Sequence, residues 1–239
     1  MSKAKIIQLS RDFSSAVDTL TFSTPVTHVY NPLNYAWKAH KKYLDLYAKT
    51  PKKVIFLGMN PGPWGMSQTG VPFGEISHVR DWMKISAKIE KPQSENPSRP
   101  ITGFECTRNE VSGQRLWGYF SSKYKKPSDF FKDHFILNYC PLVFLEESGR
   151  NRTPDKLPVA ESSPLFEICD HYLIEFVKLF KAEVLIGVGG FANKRLKKVF
   201  DPSIHRIETL LHPSPASPAA NRGWAEQAEK QLKAMKLSD

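Results

Sequence analysis

The sequence predicts an α/β fold: a single-domain α/β/α sandwich around a short, mainly parallel four-stranded sheet, spanning residues 1–239. Three observations predict it. Residues 54–57, 135–138, 184–188 and 207–211 form short, mostly apolar runs, as buried parallel strands do. Amphipathic helical patterns separate them, and such alternation argues for helices packed on a parallel sheet. Each run also leads directly into a loop rich in proline or glycine.

In chain order, residues 1–30 show no clear period and are expected as a less regular N-terminal arm. Asn31-Pro32 then carries the signature of an N-cap followed by proline in the first helical turn. Leu33, Trp37, His40, Leu44 and Tyr47 follow on one helical face, and Pro51 ends the pattern. After the first strand, Ile76, Val79, Met83 and Ala87 share a face. Residues 146–163, rich in proline, serine and charge, are expected as a surface loop. Ser163-Pro164 is expected to open a helix carrying Leu165, Cys169, Tyr172, Phe176 and Phe180. Ala192, Leu196 and Val199 mark another helix, and Trp224, Ala228, Leu232 and Met235 the last.

Composition narrows the function. No stretch approaches the ~20 apolar residues that span a bilayer. The opening MSKAKIIQLS lacks the apolar segment of a secretory signal, so an intracellular protein is expected, with no membrane partner. Cys106, Cys140 and Cys169 are scattered without a CxxC pair, which disfavours a zinc site or an iron–sulfur cluster and favours reduced, mostly buried thiols. The 34 Lys and Arg exceed the 24 Asp and Glu, a net charge of +10, which suits a polyanionic partner. The basic residues cluster at Lys38, Lys41 and Lys42; at Lys123, Lys125 and Lys126; and at Lys194, Arg195, Lys197 and Lys198. Each cluster also suits a solvated helix face.

The loops after the strands carry the chemistry. The first strand enters Gly58-Met59-Asn60-Pro61-Gly62-Pro63, the second Asn138-Tyr139-Cys140-Pro141-Leu142, the third Gly187-Val188-Gly189-Gly190 and the fourth His212-Pro213-Ser214-Pro215. Ligands of open parallel sheets bind outside the carboxyl ends of the strands. Asn60, Asn138 and His212 are therefore expected around one pocket. Gly187–Gly190 is expected to serve close helix packing.

GMNPGPWGMSQTGVPFGE (58–75), NYCPL (138–142), SGRN (148–151) and HPSPASPAANRGW (212–224) closely resemble the single-strand-selective monofunctional uracil-DNA glycosylases, a branch of the uracil-DNA glycosylase superfamily. The resemblance runs in register from about Tyr30 to Trp224. It implies a uracil-DNA glycosylase-like fold and a base-excision-repair enzyme that hydrolyses the N-glycosidic bond of uracil, and of 5-substituted uracils or other deaminated bases, leaving an abasic site. It implies no metal and no organic cofactor. DNA, single- or double-stranded, is the implied partner, and one active site in one domain suggests a monomer. A compact chain without a long charged tail favours a bacterial cytoplasmic source over a nuclear one.

The resemblance assigns Asn60 to hold the attacking water and His212 to donate to a uracil carbonyl oxygen. Asn138 would read the base, since an amide both accepts from N3–H and donates to O4. Phe73 would stack on the flipped base, with backbone groups of Met59 and Phe73 adding contacts. Gly62 stands where classical uracil enzymes carry a tyrosine against base C5. Pro213, Ser214, Pro215, Ala216, Ser217 and Arg222 fall in the loop that enters the duplex, where well-known relatives carry arginine at the position of Ala216. That departure puts the strength of the wedge in question.

Other chemistries lack their parts. No H-x-E or P-C-x-x-C pattern of zinc base deaminases occurs. Three cysteines cannot supply four cluster ligands, and the motifs offer no lysine nucleophile for a lyase. Two alternatives remain: a mismatch-directed G·U/G·T glycosylase of the same superfamily, and a catalytically silent nucleic-acid-binding module.

Overall fold

A computed structural model describes residues 2–237. The chain opens on helix α1 (Ser2–Val17) and strand β1 (Val26–Tyr30). The expectation of an irregular arm over residues 1–30 is therefore corrected; Met1 lies outside the described residues. Ile6, Phe13 and Val17 form the apolar stripe of α1, but Ser10 and Ser14 are buried among them and break the pattern in sequence. Phe13 stacks on Tyr172 with ring centroids 4.7 Å apart, which docks α1 on a later helix. The Asn31 side chain donates to the Ser14 hydroxyl at 3.0 Å and to Asp18 Oδ1 at 2.8 Å.

Asn31 is also the expected N-cap: its Oδ1 accepts from the Leu33 N–H at 3.1 Å, with Pro32 opening helix α2 (Pro32–Tyr35). The expected continuous helix breaks at Ala36, and α3 (Trp37–Tyr47) resumes beyond it. The left-handed Gly70 turn packs at the break, where a side chain on Gly70 would meet the Ala36 carbonyl. Strand β2 (Val54–Gly58) is buried along its whole length. Helix α4 (Met66–Thr69) follows. The helix expected through Ala87 is only a short turn, π-helical over His78–Trp82. Lys84 at φ +57° and a bond from Ile85 N to Val79 O close it, a left-handed helix stop.

Helices α5 (Val111–Lys123) and α6 (Pro127–Asp133) were not foreseen. Serines and glycines interrupt the apolar face of α5, yet Leu116, Trp117 and Phe120 are buried. Strands β3 (His134–Asn138), β4 (Val143–Glu146) and β5 (Asn151–Arg152) follow. The expected surface loop 146–163 thus contains a strand and also the first turn of α7 (Val159–Phe180), which begins before Ser163-Pro164. Pro164 inside α7 forfeits one backbone bond. Buried Leu165, Cys169, Leu173, Phe176 and Phe180 hold the helix together around it. Strand β6 (Val184–Val188), helix α8 (Gly190–Val199), strand β7 (Arg206–Leu210) and helix α9 (Trp224–Ala234) complete the chain.

The four foreseen strands form one sheet in the order β3-β2-β6-β7, and all three pairings are parallel. Their carboxyl ends therefore lie together along one edge. A second, antiparallel sheet of order β1-β4-β5 escaped the sequence, because β5 has two residues and β1 carries Thr27 and His28 side by side, which breaks any alternation. No described helix is long and apolar enough to cross a membrane.

Candidate active site

The carboxyl ends of β2, β3 and β7 open into a cavity of about 440 Å³, lined by Met59, Asn60, Gly62, Phe73, Asn138 and His212 among others. All six residues expected in the pocket are brought together there. Gly58 pairs with Asn138 across β2 and β3. A Cβ on Gly58 would come within 2.4 Å of Asn138 Oδ1 and 2.6 Å of the Phe73 ring. Glycine is thus required where the two side chains converge.

The Asn60 amide nitrogen donates to the Leu142 carbonyl at 3.2 Å. A carbonyl can only accept, so this bond fixes which end of the amide is nitrogen and leaves Oδ1 as the acceptor. Met59 uses its carbonyl to accept from Cys140 N–H at 2.9 Å, which leaves its N–H as the backbone group it can offer. The Asn138 amide nitrogen donates to Met66 Sδ at 3.3 Å. Sulfur is a weak acceptor, so a ligand carbonyl displaces it readily.

His212 is oriented from its own loop. The Ser214 N–H donates to His212 Nδ1 at 3.1 Å. Nδ1 is therefore unprotonated, and a neutral ring carries its proton on Nε2. Burial lowers the His212 pKa below the ordinary imidazole value, which favours that neutral form. Gly189, at φ +90°, packs beneath the ring, where a Cβ would lie 2.9 Å from His212 Cδ2. Helix packing, the role expected of this glycine run, holds for Gly187, whose Cβ would strike Asn193 N at 2.3 Å. Gly189 has the second task of seating the histidine. Trp224 Nε1 donates to Leu211 O at 2.8 Å, and Leu211 N donates to Gln231 Oε1 at 2.8 Å. The last helix thereby fixes the strand exit before His212.

Phe73 adopts φ +53°, a conformation costing a non-glycine residue about 1–2 kcal/mol. The surroundings impose it. Phe73 O accepts from Glu75 N at 2.7 Å, Trp117 Nε1 donates to Pro72 O at 3.1 Å, and Gly113 of α5 lies so close that a Cβ would reach Phe73 O at 2.1 Å. The Phe73 and His212 ring centroids stand 6.3 Å apart.

The loop after His212 is built from turns: Ser214 Oγ accepts from Ala216 N at 3.1 Å, and Ser214 O from Ser217 N at 3.0 Å. Ser214 and Pro215 line the cavity, whereas Ala216, Ser217 and Arg222 do not. Pro213 is buried, and Pro215, Ala216 and Arg222 are exposed. Arg115 of α5, unforeseen in sequence, donates to Pro213 O at 3.0 Å and Asn221 Oδ1 at 2.9 Å. Asn221 in turn donates to Pro215 O at 2.8 Å. Arg115 thus clamps both ends of the loop.

Glu110, which immediately precedes α5 and lines the cavity, was also missed. Burial raises its pKa, opposed by the Ser112 N–H. Its Oε2 would lie 2.5 Å from a Cβ on Gly62, so the room left by that glycine is bounded by a carboxyl group. Trp64, Asn151 and Thr153 are further unforeseen residues of the lining.

The cysteines are free thiols, Cys140 and Cys169 buried and Cys106 half-buried. Burial and the adjacent Cys140 raise the Cys169 pKa well above the ordinary thiol value. Buried Lys52 lies before β2, at the end of the sheet away from the cavity, and bonds Phe131 O. Each basic cluster has at least one member engaged within the fold: Lys41 with Asp45 at 2.6 Å, Lys123 with Glu229 at 2.8 Å, and Arg195 with Asp170.

Comparison with known proteins places this geometry in a family. The family model of the uracil DNA glycosylase superfamily matches residues 44–235. The chain is 45% identical over 227 residues to the single-strand selective monofunctional uracil-DNA glycosylase of Rattus norvegicus, covering 94% of this chain and 81% of that one. It is 46% identical over 221 residues to the Bos taurus protein of the same name, covering 91% and 81%. The crystal structure of wild-type Pedobacter heparinus SMUG2 shares the fold, with a TM-score of 0.68 over 98% of this chain and 97% of that one, at 18% identity. The two sequence relatives are mammalian, so the expected bacterial source draws no support from them.

Proposed function

Since this chain belongs to the uracil DNA glycosylase superfamily, we propose that its cavity takes a uracil extruded from DNA and hydrolyses its N-glycosidic bond. The enzyme is a monofunctional uracil-DNA glycosylase of base excision repair. The observation that carries the residue roles is the convergence of Asn60, Phe73, Asn138 and His212 on one cavity at the carboxyl ends of the parallel strands.

The flipped base stacks on Phe73, an interaction worth roughly 1–3 kcal/mol. Asn138 exchanges its weak bond to Met66 for donation to uracil O4 and acceptance from N3–H. Cytosine offers the opposite polarity at both atoms, and each buried mismatch costs about 1–3 kcal/mol. As the C1′–N1 bond breaks, its electron pair stays on the base and the sugar becomes cationic. The His212 Nε2–H donates to the uracil O2, where negative charge develops; a preorganised donor of this kind contributes about 3–4 kcal/mol. Asn60 Oδ1 orients a water toward C1′. The water oxygen bonds to C1′ and its proton passes to solvent, because an amide cannot hold it. Lys52 lies before β2 and away from the cavity, which fits hydrolysis without a lyase step.

The whole chain acts as one domain and as a monomer, with no metal or organic cofactor, in whichever compartment holds its DNA. Single strands, duplexes and 5-substituted uracils all belong to its range. The high identity to proteins named as single-strand selective uracil enzymes disfavours the mismatch-directed alternative, and the intact polar set disfavours a silent module. The test is release of free base from oligonucleotides carrying uracil in a single strand, in U·A and in U·G, with thymine in T·G as control. Release from all three uracil substrates and none from T·G is expected. Preference for T·G would overturn the assignment, and no release at all would reinstate the silent module.

A further inference from the structure

Trp64 lines the cavity and sits in the same loop as Asn60, yet it has no part in the reaction above. Two guanidinium groups flank its ring: Arg99 Cζ at 5.1 Å and Arg108 Cζ at 5.5 Å from the ring centroid. Neither arginine forms an ion pair among the described residues, whereas Arg80, Arg152, Arg195 and Arg206 each hold a carboxylate. Arg99 is half-buried, and its Nε is buried without a partner.

The arrangement is held in place from behind. Gly149, at φ +77°, packs on Arg99, where a Cβ would lie 3.2 Å from Arg99 Cγ and 2.7 Å from Ser98 Cβ. Tyr30 Oη donates to Arg99 O at 2.9 Å and accepts from Asn96 N at 2.7 Å. Asn96 Nδ2 donates to the Glu146 and Glu147 carbonyls, at 3.1 and 3.2 Å. The SGRN segment that begins at Ser148 thereby braces Arg99, and its Asn151 lines the cavity with a buried Oδ1 that has no partner.

An aromatic face beside two cations without counter-ions suits a ligand that is both planar and anionic. At the wall of a cavity that takes one nucleotide, that ligand is the next nucleotide of the same strand. We propose that Trp64, Arg99 and Arg108 form a subsite for the nucleotide adjacent to the extruded one, its base stacking on Trp64 and its phosphate meeting the guanidinium groups. Arg99 is the fixed member. Arg108 is exposed and moves from the ring to the phosphate as the base arrives. The subsite needs no partner strand, so it serves single-stranded substrate fully. It rests on the glycosylase reading of the cavity.

Oligothymidylate without uracil probes the subsite with no turnover. Intrinsic fluorescence of the wild type should fall on titration, and Trp64→Phe should lose most of that quench while binding within a few-fold of wild type. Trp64→Ala should bind roughly tenfold more weakly. Arg108→Gln, at an exposed position, should lower the slope of log affinity against log salt by about 0.7. Uracil oligonucleotides cut back to place uracil at either end supply the second arm. One truncation should bring wild-type turnover down to that of Trp64→Ala, and Trp64→Ala should be insensitive to the same cut. Unchanged binding and unchanged salt slope in folded Trp64→Ala and Arg108→Gln proteins would overturn the subsite, as would equal sensitivity of wild type and Trp64→Ala to both truncations. Failure of the glycosylase reading looks different: the wild type would bind these strands and release no base from any of them.

Discussion

The backbone N–H of Ser214 donates to Nδ1 of His212 at 3.1 Å, so a residue of the following loop decides which nitrogen of the histidine carries the proton. Burial works in the same direction by disfavouring the imidazolium. In the proposed reaction the donor to the leaving base is then a neutral ring whose Nε2–H is available over a wide pH range. The acid limb of kcat/KM follows from the sign of this shift. Lowering the pKa extends the neutral form downward, so activity should persist below the ordinary histidine value of about 6.5 and fall only at lower pH. A pH–rate profile on single-stranded substrate checks this, and a limb at or above 6.5 would contradict it.

Gly189 and His212 are coupled through space. Gly189→Ala would put a side chain at φ +90° and 2.9 Å from His212 Cδ2. The backbone strain alone is about 1–2 kcal/mol, and displacing the ring adds a catalytic cost. Melting temperature should drop by several degrees, and kcat should fall at least tenfold with little change in DNA affinity. A loss of stability with kcat intact would separate the glycine from the histidine.

The loop Pro213–Arg222 stands ready on Arg115 but carries Ala216 at its exposed turn. Extruding a base costs a few kcal/mol, and an inserted side chain offsets part of that cost. Ala216→Arg should therefore raise activity on duplex uracil, most for U·A, and change little on a single strand. An equal gain on both would indicate general electrostatic attraction. Arg115→Ala should lower duplex activity more than single-strand activity, because it frees both ends of the loop.

Every role assigned above belongs to a side chain, a backbone group or a water. Turnover after dialysis against EDTA should match that of untreated enzyme. Loss restored by a divalent ion would reveal a metal in the reaction.

The sequence made the parallel sheet and the pocket residues legible for related reasons: β2, β3 and β6 are largely apolar and buried, and the loops after the strands hold short polar motifs. Edge strand β7, with Arg206 and Glu208 in it, is buried only at Leu210 rather than throughout as expected. What it hid was structure made by mixed faces. Ser10 and Ser14 lie on the buried side of α1, Gly113 interrupts α5 to let Phe73 approach, and β5 is too short to show a period. Arg115 and Glu110 lie on that unrecognised helix or at its start, so their contributions to the loop and the cavity could not be read either. Gly189 was visible as a glycine but not as the seat of His212, because that contact joins residues 23 positions apart.

In the proposed reaction Asn60 and His212 act on the bond rather than on DNA binding. Single-turnover release of uracil from a single-stranded oligonucleotide, measured for the wild type, Asn60→Ala and His212→Ala with affinity determined in parallel, tests it most directly. Each substitution should slow the chemical step by about two to three orders of magnitude, and affinity, which phosphate contacts dominate, should change only a few-fold. A wild-type rate in either variant, or a loss of rate explained wholly by weaker binding, would contradict the account.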